Sequence, residues 1–219
     1  MSVAILVPML GRAHRIVPLV ESIERSTTVD HETLLILSPS DLEVREKAAE
    51  LGVNFVVMDA DYPRGDYARK INYGASITST DWVFTGADDL EFHPGWFESC
   101  MAARRATTGF IGTNDLGSQR VMDGKHSTHS LVARWYVELG TIDEPGKIYH
   151  EGYWHEYCDD EAVQTARSRG MFRSARGAHV EHLHYVWGKA PNDALYARAR
   201  ERMAVGKRLY DERKHLWNA

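Results

Sequence analysis

Short apolar runs alternate with segments of helical spacing through the first half of the chain. Each run has the length of a buried strand, about five residues, and the runs are Val3–Val7, Thr33–Leu37, Asn54–Met58 and Trp82–Thr85. The segments between them carry helical spacing and are Val17–Arg25, Leu42–Leu51 and Tyr67–Ile77. This alternation predicts an α/β fold with a mostly parallel sheet flanked by helices. Since such sheets bind ligands beyond the carboxyl ends of their strands, we expect functional residues just after these runs.

The second half of the chain is less regular. We predict one further strand near its start and one near its end, with helices between and after them and a mobile polar loop over residues 114–128. The predicted elements are helix Pro94–Arg105, strand Phe110–Thr113, a helix over about 160–169, strand Ala178–His184 and terminal helix Ala194–Arg213. No linker or internal repeat interrupts the chain, so we expect a single domain.

Composition and charge narrow the classes of protein that this sequence can encode. A chain of 219 residues with 43% hydrophobic residues fits one domain with a buried core. Its formal net charge of −5 argues against a general binder of the nucleic-acid backbone, which usually carries a basic surface. We expect neither a signal peptide at Val3–Val7 nor a membrane span, and Cys100 and Cys158 fit a reducing, cytoplasmic setting. Most of the 11 histidines lie between His126 and His184, which suggests metal or acid–base chemistry.

Two adjacent carboxylates, Asp88 and Asp89, follow the apolar run Trp82–Thr85. Carboxylates at the carboxyl end of a strand can hold a hard divalent ion, and the ion can in turn bind a diphosphate. The next residues, His93-Pro94, predict the start of a helix, because proline is favoured in a first helical turn. The simpler alternative is that the two acids only cap a turn.

A pair of histidines, His182 and His184, lies in the predicted strand Ala178–His184. Alternation along a strand places both imidazoles on the face that also carries Val180. Two imidazoles on one face can reach a common ion or phosphate. The alternative is that each is an ordinary polar strand residue.

A second group of acids, Asp159, Asp160 and Glu161, opens the helix that we expect to end at Gly170. Acids in a first turn complement the helix dipole and cap free amides. Capping alone therefore explains one acid at this position. Three together exceed what capping requires. A carboxylate held at this point can also act as general base for a hydroxyl nucleophile.

A polar segment precedes the strand that leads to Asp88. Arg69 and Lys70 could neutralise phosphates, and Asn72 could bond a sugar or ribose hydroxyl, although an amphipathic helix start explains the segment equally well. The sequence contains no glycine-rich dinucleotide motif, no P-loop and no nucleophile elbow. Dehydrogenases, P-loop enzymes and serine hydrolases are therefore disfavoured.

In this order the motifs resemble the GT-A class of glycosyltransferases, especially its large inverting family of bacterial and phage enzymes. The resemblance covers about residues 3–190. The first strand, its final Pro8 and the following Arg12 look like the family's opening strand and nucleotide-binding turn. Ser38 and Ser40 stand where the family has a base-contacting acidic turn, and Asn72-Tyr73-Gly74 resembles its Asn-x-Gly helix start.

The resemblance also assigns the metal site. Phe84–Asp89 is similar to the family's Asp-x-Asp motif, with Asp88 at the second acid and Gly86 in place of the first. Asp89 can compensate for the missing acid. His182 resembles the late histidine that completes the metal or diphosphate site, with His184 as its rival.

The catalytic base follows from the same resemblance. The acids that open the helix before Gly170, together with Arg167, look like the family's acidic helix start. The best gapless match makes Asp159 the base, with Asp160 as the alternate.

The activity implied is metal-dependent transfer of a sugar from a UDP- or GDP-linked donor to an acceptor hydroxyl, with inversion. Mn²⁺ or Mg²⁺ held by Asp88 and His182 would neutralise the leaving diphosphate, while Asp159 takes the acceptor's proton. The expected organisation is one catalytic domain, with residues 1–113 binding the nucleotide sugar, 114–190 the acceptor, and 191–219 forming a helical tail.

Three alternatives concern the activity and the acceptor. A nucleotidyltransferase also uses an α/β sheet with carboxylate-held metal, and loss of the first acid at Gly86 would suit a catalytically silent sugar-nucleotide or glycan-binding module. The acceptor could be a glycan, a protein or a modified DNA base. The DNA option rests on basic residues of the terminal helix, which a solvated helix face also explains: Arg198, Arg200, Arg202, Lys207, Arg208, Arg213 and Lys214.

Overall fold

A computed structural model describes residues 1–62 and 64–218, apart from the side chains of residues 198–201. Within this part of the chain, eight strands, β1 to β8, span Ser2–Pro8, Asp30–Leu37, Phe55–Val57, Trp82–Thr85, Leu90–Phe92, Phe110–Asn114, Ser130–Ala133 and Phe172–His182. The α-helices described, α1 to α8, span Ile16–Ser26, Leu42–Leu51, Tyr67–Ile77, Trp96–Ala103, Gln119–Met122, Arg134–Leu139, Cys158–Ser168 and Ala194–Arg213. Short 3-10 turns lie at Ala13–Arg15, Tyr185–Trp187 and Lys214–Leu216.

The strands form a sheet in the order β3-β2-β1-β4-β7-β6-β8-β5. The first four are parallel to one another, β7 runs antiparallel to both of its neighbours, and β5 runs antiparallel to β8. Strand β6 is parallel to β8. The predicted α/β architecture with a mostly parallel sheet is therefore confirmed.

Strand β1 lies at the centre of the parallel half of the sheet. All five residues of Val3–Val7 have no exposed surface, as expected for a strand covered by helices on both faces. A cluster of Phe84, Phe92 and Trp96 packs the neighbouring β4–β5 region, with ring centroids 5.1–5.2 Å apart in edge-on geometry. This core fixes the carboxyl end of β4, where Asp88 and Asp89 follow.

Several elements have the bounds that the sequence predicts, namely α2, α3, β4 and α8. Helix α2 shows why: the Asp41 side chain accepts a hydrogen bond from the amide of Val44, and Gly52 ends the helix in the left-handed region at φ 66°. Local capping signals and apolar spacing agree here, so the bounds are readable from the sequence.

Other elements differ from their predictions because tertiary pairing decides them. Leu90–Phe92 forms β5 against Val180–His182 of β8, so α4 begins at Trp96 rather than at Pro94. Strand β8 begins at Phe172, before the predicted Ala178, through polar residues that obscure the strand pattern. The structure also contains the unpredicted β7 and α6, and α5 lies within the predicted loop 114–128.

His184 lies outside the strand in which the sequence placed it. Strand β8 ends at His182, and His184 instead caps the following 3-10 turn, where its Nδ1 accepts a hydrogen bond from the amide of Val186. The two imidazoles nevertheless stay adjacent, with ring centroids 4.9 Å apart. The predicted strand is wrong at this end, while the proximity of the two histidines is confirmed.

Helix α8 packs across the second half of the molecule. At Gly206 a Cβ atom would lie 2.6 Å from the carbonyl oxygen of Glu156, so only glycine permits this close approach. Arg213 anchors the far end of the helix by pairing with Glu161 and Asp143, at 2.8 Å in each case. No helix in the described residues is both long and apolar enough for a membrane crossing.

Candidate active site

A cavity of about 670 Å³ opens at the carboxyl ends of β1, β2 and β4, and α8 contributes to its wall. Most of the residues predicted for the site lie on this wall: Pro8, Arg12, Ser38, Lys70, Asp88, Asp89, Asp159, His182 and His184. Among the described lining residues, Arg69, Asn72 and Asp160 do not appear. The cavity thus brings together acids from β4 and α7, which are far apart in the sequence.

The turn after β4 explains why this chain has Gly86 where an acid was expected. The Gly86 amide donates a hydrogen bond to the carbonyl of Leu6 at 2.8 Å. A Cβ atom at residue 86 would lie only 2.7 Å from the same oxygen, so a larger residue needs a backbone shift. Asp88 and Asp89, only 8% and 6% exposed, are consequently the acids that β4 delivers to the cavity.

Arg12 neutralises this acidic pair from the turn after β1. Its Nη1 donates to Oδ1 of Asp88 at 2.8 Å and lies 3.6 Å from Oδ2 of Asp89. Its Nε donates to Asp193 at 2.9 Å, and its guanidinium lies over the Tyr196 ring, 4.2 Å from the centroid. The buried Nη2 has no hydrogen-bond partner among the described residues. Arg12 therefore joins β1, β4 and the beginning of α8.

The two adjacent acids have opposite pKa shifts. Burial raises the pKa of Asp88, the charge of Asp89 adds to the rise, and Arg12 opposes it. Burial also acts to raise the pKa of Asp89, but His182, 3.3 Å away, and the Tyr196 hydroxyl, which donates at 2.8 Å, lower it well below its usual range. Asp89 is the fixed negative charge of the pair.

Three imidazoles extend from this pair along the cavity. The rings of His129 and His182 lie 5.2 Å apart, and His184 continues the row. Burial lowers the pKa of both His129 and His184 to about 4, so both are neutral near pH 7. Burial also acts to lower the pKa of His182, but Asp89 raises it more strongly. His129 was missed individually, although the histidine-rich segment includes it.

The donor set of this region fits a divalent ion that accepts oxygen and nitrogen ligands. Asp88 and Asp89 supply carboxylates, His182 and His184 supply imidazoles, and the buried Nε2 of His129 has no partner among the described residues. As they stand, however, Asp88 is bonded to Arg12 and Asp89 to Tyr196. A metal ion at this point requires both acids to exchange a partner.

A second centre lies at the start of α7. His126 Nε2 lies 3.1 Å from Oδ2 of Asp159, its Nδ1 lies 3.8 Å from Asp160, and Arg120 donates to Asp160 at 3.0 Å. In the described part of the chain, His126, Asp159 and Asp160 are the group whose metal-ligand atoms all fall within 4.8 Å of one another. The sequence pointed to both acids, but not to their histidine partner.

Charge is divided within this second centre as well. Burial acts to raise the pKa of Asp159, but the hydrogen bond and charge of His126 lower it overall. Burial and the charge of Asp159 raise the pKa of Asp160. Only Asp159 lies on the cavity wall, because Asp160 is held by Arg120. The geometry therefore favours Asp159 over Asp160 as a group that can reach a substrate in the cavity.

Lys70 lies on the cavity wall near the ends of β1 and β2, but its charge is neutralised within the protein. Its Nζ donates to the carbonyl of Met9 and to Ser38 Oγ, both at 2.8 Å, and pairs with Asp66 at 3.0 Å. The residue is 1% exposed. Lys70 thereby joins the ends of β1 and β2 to the start of α3, and leaves Ser38 and Asp66 on the wall.

Asn72 and Arg69 lie behind the cavity wall. The Asn72 amide donates to the Tyr149 carbonyl at 2.8 Å and accepts from the amide of Ile148 at 2.9 Å. Arg69 pairs with Glu151 at 2.9 Å. Both side chains thus hold the loop 148–151 against α3, which is a use that the sequence pattern did not reveal.

The basic residues of the terminal helix are partly neutralised. Lys207 and Lys214 both pair with Asp211, and Arg213 pairs with two acids. Arg202 lies on the cavity wall. The side chains of Arg198 and Arg200, which belong to the predicted basic face, lie outside the described residues.

Fold and site together define the class of protein. A mostly parallel sheet with a cavity at its strand ends, two acids after β4 and further acids at the start of a later helix are the GT-A glycosyltransferase arrangement suggested by the motifs. The sequence profile described as "Glycosyl transferase family 2" matches residues 4–178. The chain belongs to this family. No curated protein matches it.

Solved structures share the fold at low sequence identity. A mannosyltransferase from Pyrobaculum calidifontis, in complex with GDP-Man and Mn²⁺, has a TM-score of 0.63 and 14% identity over 91% of this chain and 61% of that one. Glucosyl-3-phosphoglycerate synthase from Mycobacterium tuberculosis, in complex with Mn²⁺, UDP and glucosyl-3-phosphoglycerate, has a TM-score of 0.61 and 15% identity over 91% of this chain and 76% of that one. TarS 1–349 of S. aureus has a TM-score of 0.60 and 11% identity over 80% of this chain and 58% of that one. This chain thus spans about three fifths of some of these solved chains.

Proposed function

We propose that this glycosyltransferase moves a sugar from a nucleoside-diphosphate sugar, UDP- or GDP-linked, to an acceptor hydroxyl with inversion. The observation that carries the proposal is that the same cavity is lined by Asp88, at the end of β4, and by Asp159, at the start of α7. In this proposal Asp88 serves the leaving diphosphate and Asp159 serves the attacking hydroxyl. Structural neighbours with bound UDP or GDP-Man and Mn²⁺ support the choice of donor.

The nucleotide binds in this proposal at the ends of β1 and β2. Ser38 and Asp66 offer a hydroxyl and a carboxylate to the base or ribose, and Lys70 keeps both in place from below. Pro8 ends β1 beside them on the same wall. The diphosphate then lies towards Asp88, Asp89 and Arg12.

Asp88 and His182 would hold a divalent ion, Mn²⁺ or Mg²⁺, with Asp89 and His184 as further ligands; when bound, this ion supplies positive charge for the departing diphosphate. His182 is pre-positioned for this by its contact with Asp89.

Asp159 accepts the proton of the acceptor hydroxyl as that oxygen attacks the anomeric carbon. His126, 3.1 Å from its Oδ2, fixes the carboxylate and keeps it ionised before the reaction. A single displacement from the side opposite the leaving diphosphate inverts the anomeric centre.

The test is a titration of the purified chain with UDP, GDP, UDP-glucose and GDP-mannose, with and without Mn²⁺, followed by melting temperature. A ligand that binds only the folded state raises the melting temperature according to its occupancy. We expect one nucleotide to raise the melting temperature in a Mn²⁺-dependent way. In a separate activity assay, the sugar donor linked to that nucleotide should release the nucleoside diphosphate. Release of pyrophosphate from a nucleoside triphosphate would instead indicate nucleotidyl transfer, and binding without turnover would indicate a silent module.

A further inference from the structure

The cation position between Asp88 and Asp89 is already filled by a side chain of the protein. Arg12 Nη1 lies 2.8 Å from Asp88 and 3.6 Å from Asp89, and its side chain is only 9% exposed. A divalent ion at the same acids would lie within a few ångströms of this guanidinium, about 4 Å, where like charges repel strongly in a buried site. Arg12 and a metal ion therefore compete for Asp88.

Arg12 also has one N–H group, Nη2, that makes no hydrogen bond to the described residues. Its Nη2 is buried and has no acceptor in the part of the chain that the structure describes, although the residue lies on the cavity wall. A buried N–H without an acceptor is costly, and the cost is removed when a ligand supplies one. The planar guanidinium fork is suited to phosphate oxygens, which it can bind with two N–H groups.

A second anchor would allow Arg12 to leave Asp88 without leaving the site. Nε donates to Asp193 at 2.9 Å, and the guanidinium lies over the Tyr196 ring. Asp193 is itself fixed, because it caps α8 by accepting from the amides of Leu195 and Tyr196, each at 3.0 Å. The Nη groups can thus turn from one anion to another about a held Nε.

We propose that Arg12 is an exchangeable counter-ion: it occupies the cation position between Asp88 and Asp89 and transfers to the donor's diphosphate when a divalent ion and the nucleotide enter together. The inference rests on the proposed function for the identity of the anion. It predicts that the two ligands bind cooperatively, since the nucleotide supplies the acceptor that Arg12 needs once the ion has taken Asp88. Arg12 is then a binding residue whose removal affects the two ligands in opposite directions.

The experiment measures Mn²⁺ binding by electron paramagnetic resonance without nucleotide, and nucleoside diphosphate binding by calorimetry with Mn²⁺. Wild-type protein should bind Mn²⁺ weakly alone. Arg12→Met should bind Mn²⁺ about tenfold more tightly or better, and the preferred nucleotide about tenfold more weakly or worse, as expected for loss of one member of a buried charge pair. Arg25→Met, which removes an exposed arginine paired with Glu91, should change neither affinity.

Arg12→Gln provides the same test should the methionine variant fail to fold, because glutamine keeps a donor for Asp88 without a charge. Like Arg12→Met, it should bind Mn²⁺ more tightly and the preferred nucleotide more weakly than the wild type. Unchanged Mn²⁺ affinity, or a fall in the affinity for both ligands, would overturn the role of Arg12. A wild-type protein that binds no nucleotide with or without Mn²⁺ would instead refute the proposed function, while the Mn²⁺ measurements would still test competition at Asp88.

Discussion

Two aspartate pairs contribute to the cavity, and they are built from the same parts but differ in exposure. In each pair one acid contacts a histidine, Asp89 with His182 and Asp159 with His126, while the other contacts an arginine. The arginine of the first pair, Arg12, is 9% exposed, whereas that of the second, Arg120 on Asp160, is 60% exposed. The first pair is closed around its own counter-ion, and the second has solvent beside it.

This difference suggests different tasks. Both acids of the first pair lie on the cavity wall, so a ligand there meets a preformed and neutralised charge cluster. In the second pair only Asp159 reaches the cavity, and Asp160 is turned to the arginine. We infer that the first pair binds the charged leaving group and that the second presents one carboxylate for proton transfer.

The largest effect should come from Asp159→Asn. Amide in place of carboxylate cannot accept the acceptor's proton, so turnover should fall by a factor of about 10²–10⁴. Initial rates of nucleoside diphosphate release from the donor measure the loss. The matched variant Asp160→Asn should keep most of the activity, and an equal loss in both variants would show that the two acids of this pair do not differ.

Arg213→Met should cause the largest loss of stability. Arg213 bonds Glu161, whose side chain is 3% exposed and which directly follows the second pair on α7. Removing the arginine leaves a buried charge without its partner, which costs about 3–5 kcal/mol. Urea unfolding measures the change. The control is Lys47→Met, which breaks a surface ion pair with Glu50. If Arg213→Met lowers the free energy of unfolding by less than this control does, Arg213 does not stabilise the packing of α8 against α7.

His126→Gln should reduce turnover by a smaller factor, about tenfold, since the carboxylate of Asp159 remains but loses the contact with His126 that lowers its pKa. The effect should fall on kcat with little change in the affinity for the donor. His93→Gln, which alters a partly exposed histidine paired with Glu181, serves as control. A change confined to donor affinity would place His126 with the binding pair instead.

Arg120→Met should have the smallest effect. A half-exposed ion pair contributes little, about 0–1 kcal/mol, so both the free energy of unfolding and turnover should stay close to those of the wild type. Urea unfolding and initial rates check the two quantities. A strong loss of activity would show that the exposed arginine serves the reaction, and would remove the contrast with Arg12.

The fold was predictable where local signals agree. The α/β class, the central position of the apolar β1 and the bounds of α2 and α8 follow from apolar spacing and caps. The short strands β5 and β7 were not predictable, because three or four residues carry too little pattern and their pairing is set by distant strands.

The acidic residues of the candidate site could be predicted from the sequence. Asp88, Asp89 and Asp159 stand at a strand end and a helix start, and such positions can be read from sequence. His182, the partner of Asp89, was also predicted, but the contact between Arg12 and Asp88 could not be read, because these residues lie 76 positions apart in the chain. His126 comes from a polar segment without regular spacing, and only tertiary packing places it against Asp159.

The most direct test of this account is the affinity for the intact sugar donor, measured by calorimetry with Mn²⁺ on Asp88→Asn and Asp159→Asn. We predict that Asp159→Asn binds the donor as wild type does while turning it over slowly, and that Asp88→Asn loses most of the affinity. Loss of donor binding in Asp159→Asn, or wild-type binding in Asp88→Asn, would contradict the division of the two pairs between proton transfer and leaving-group binding.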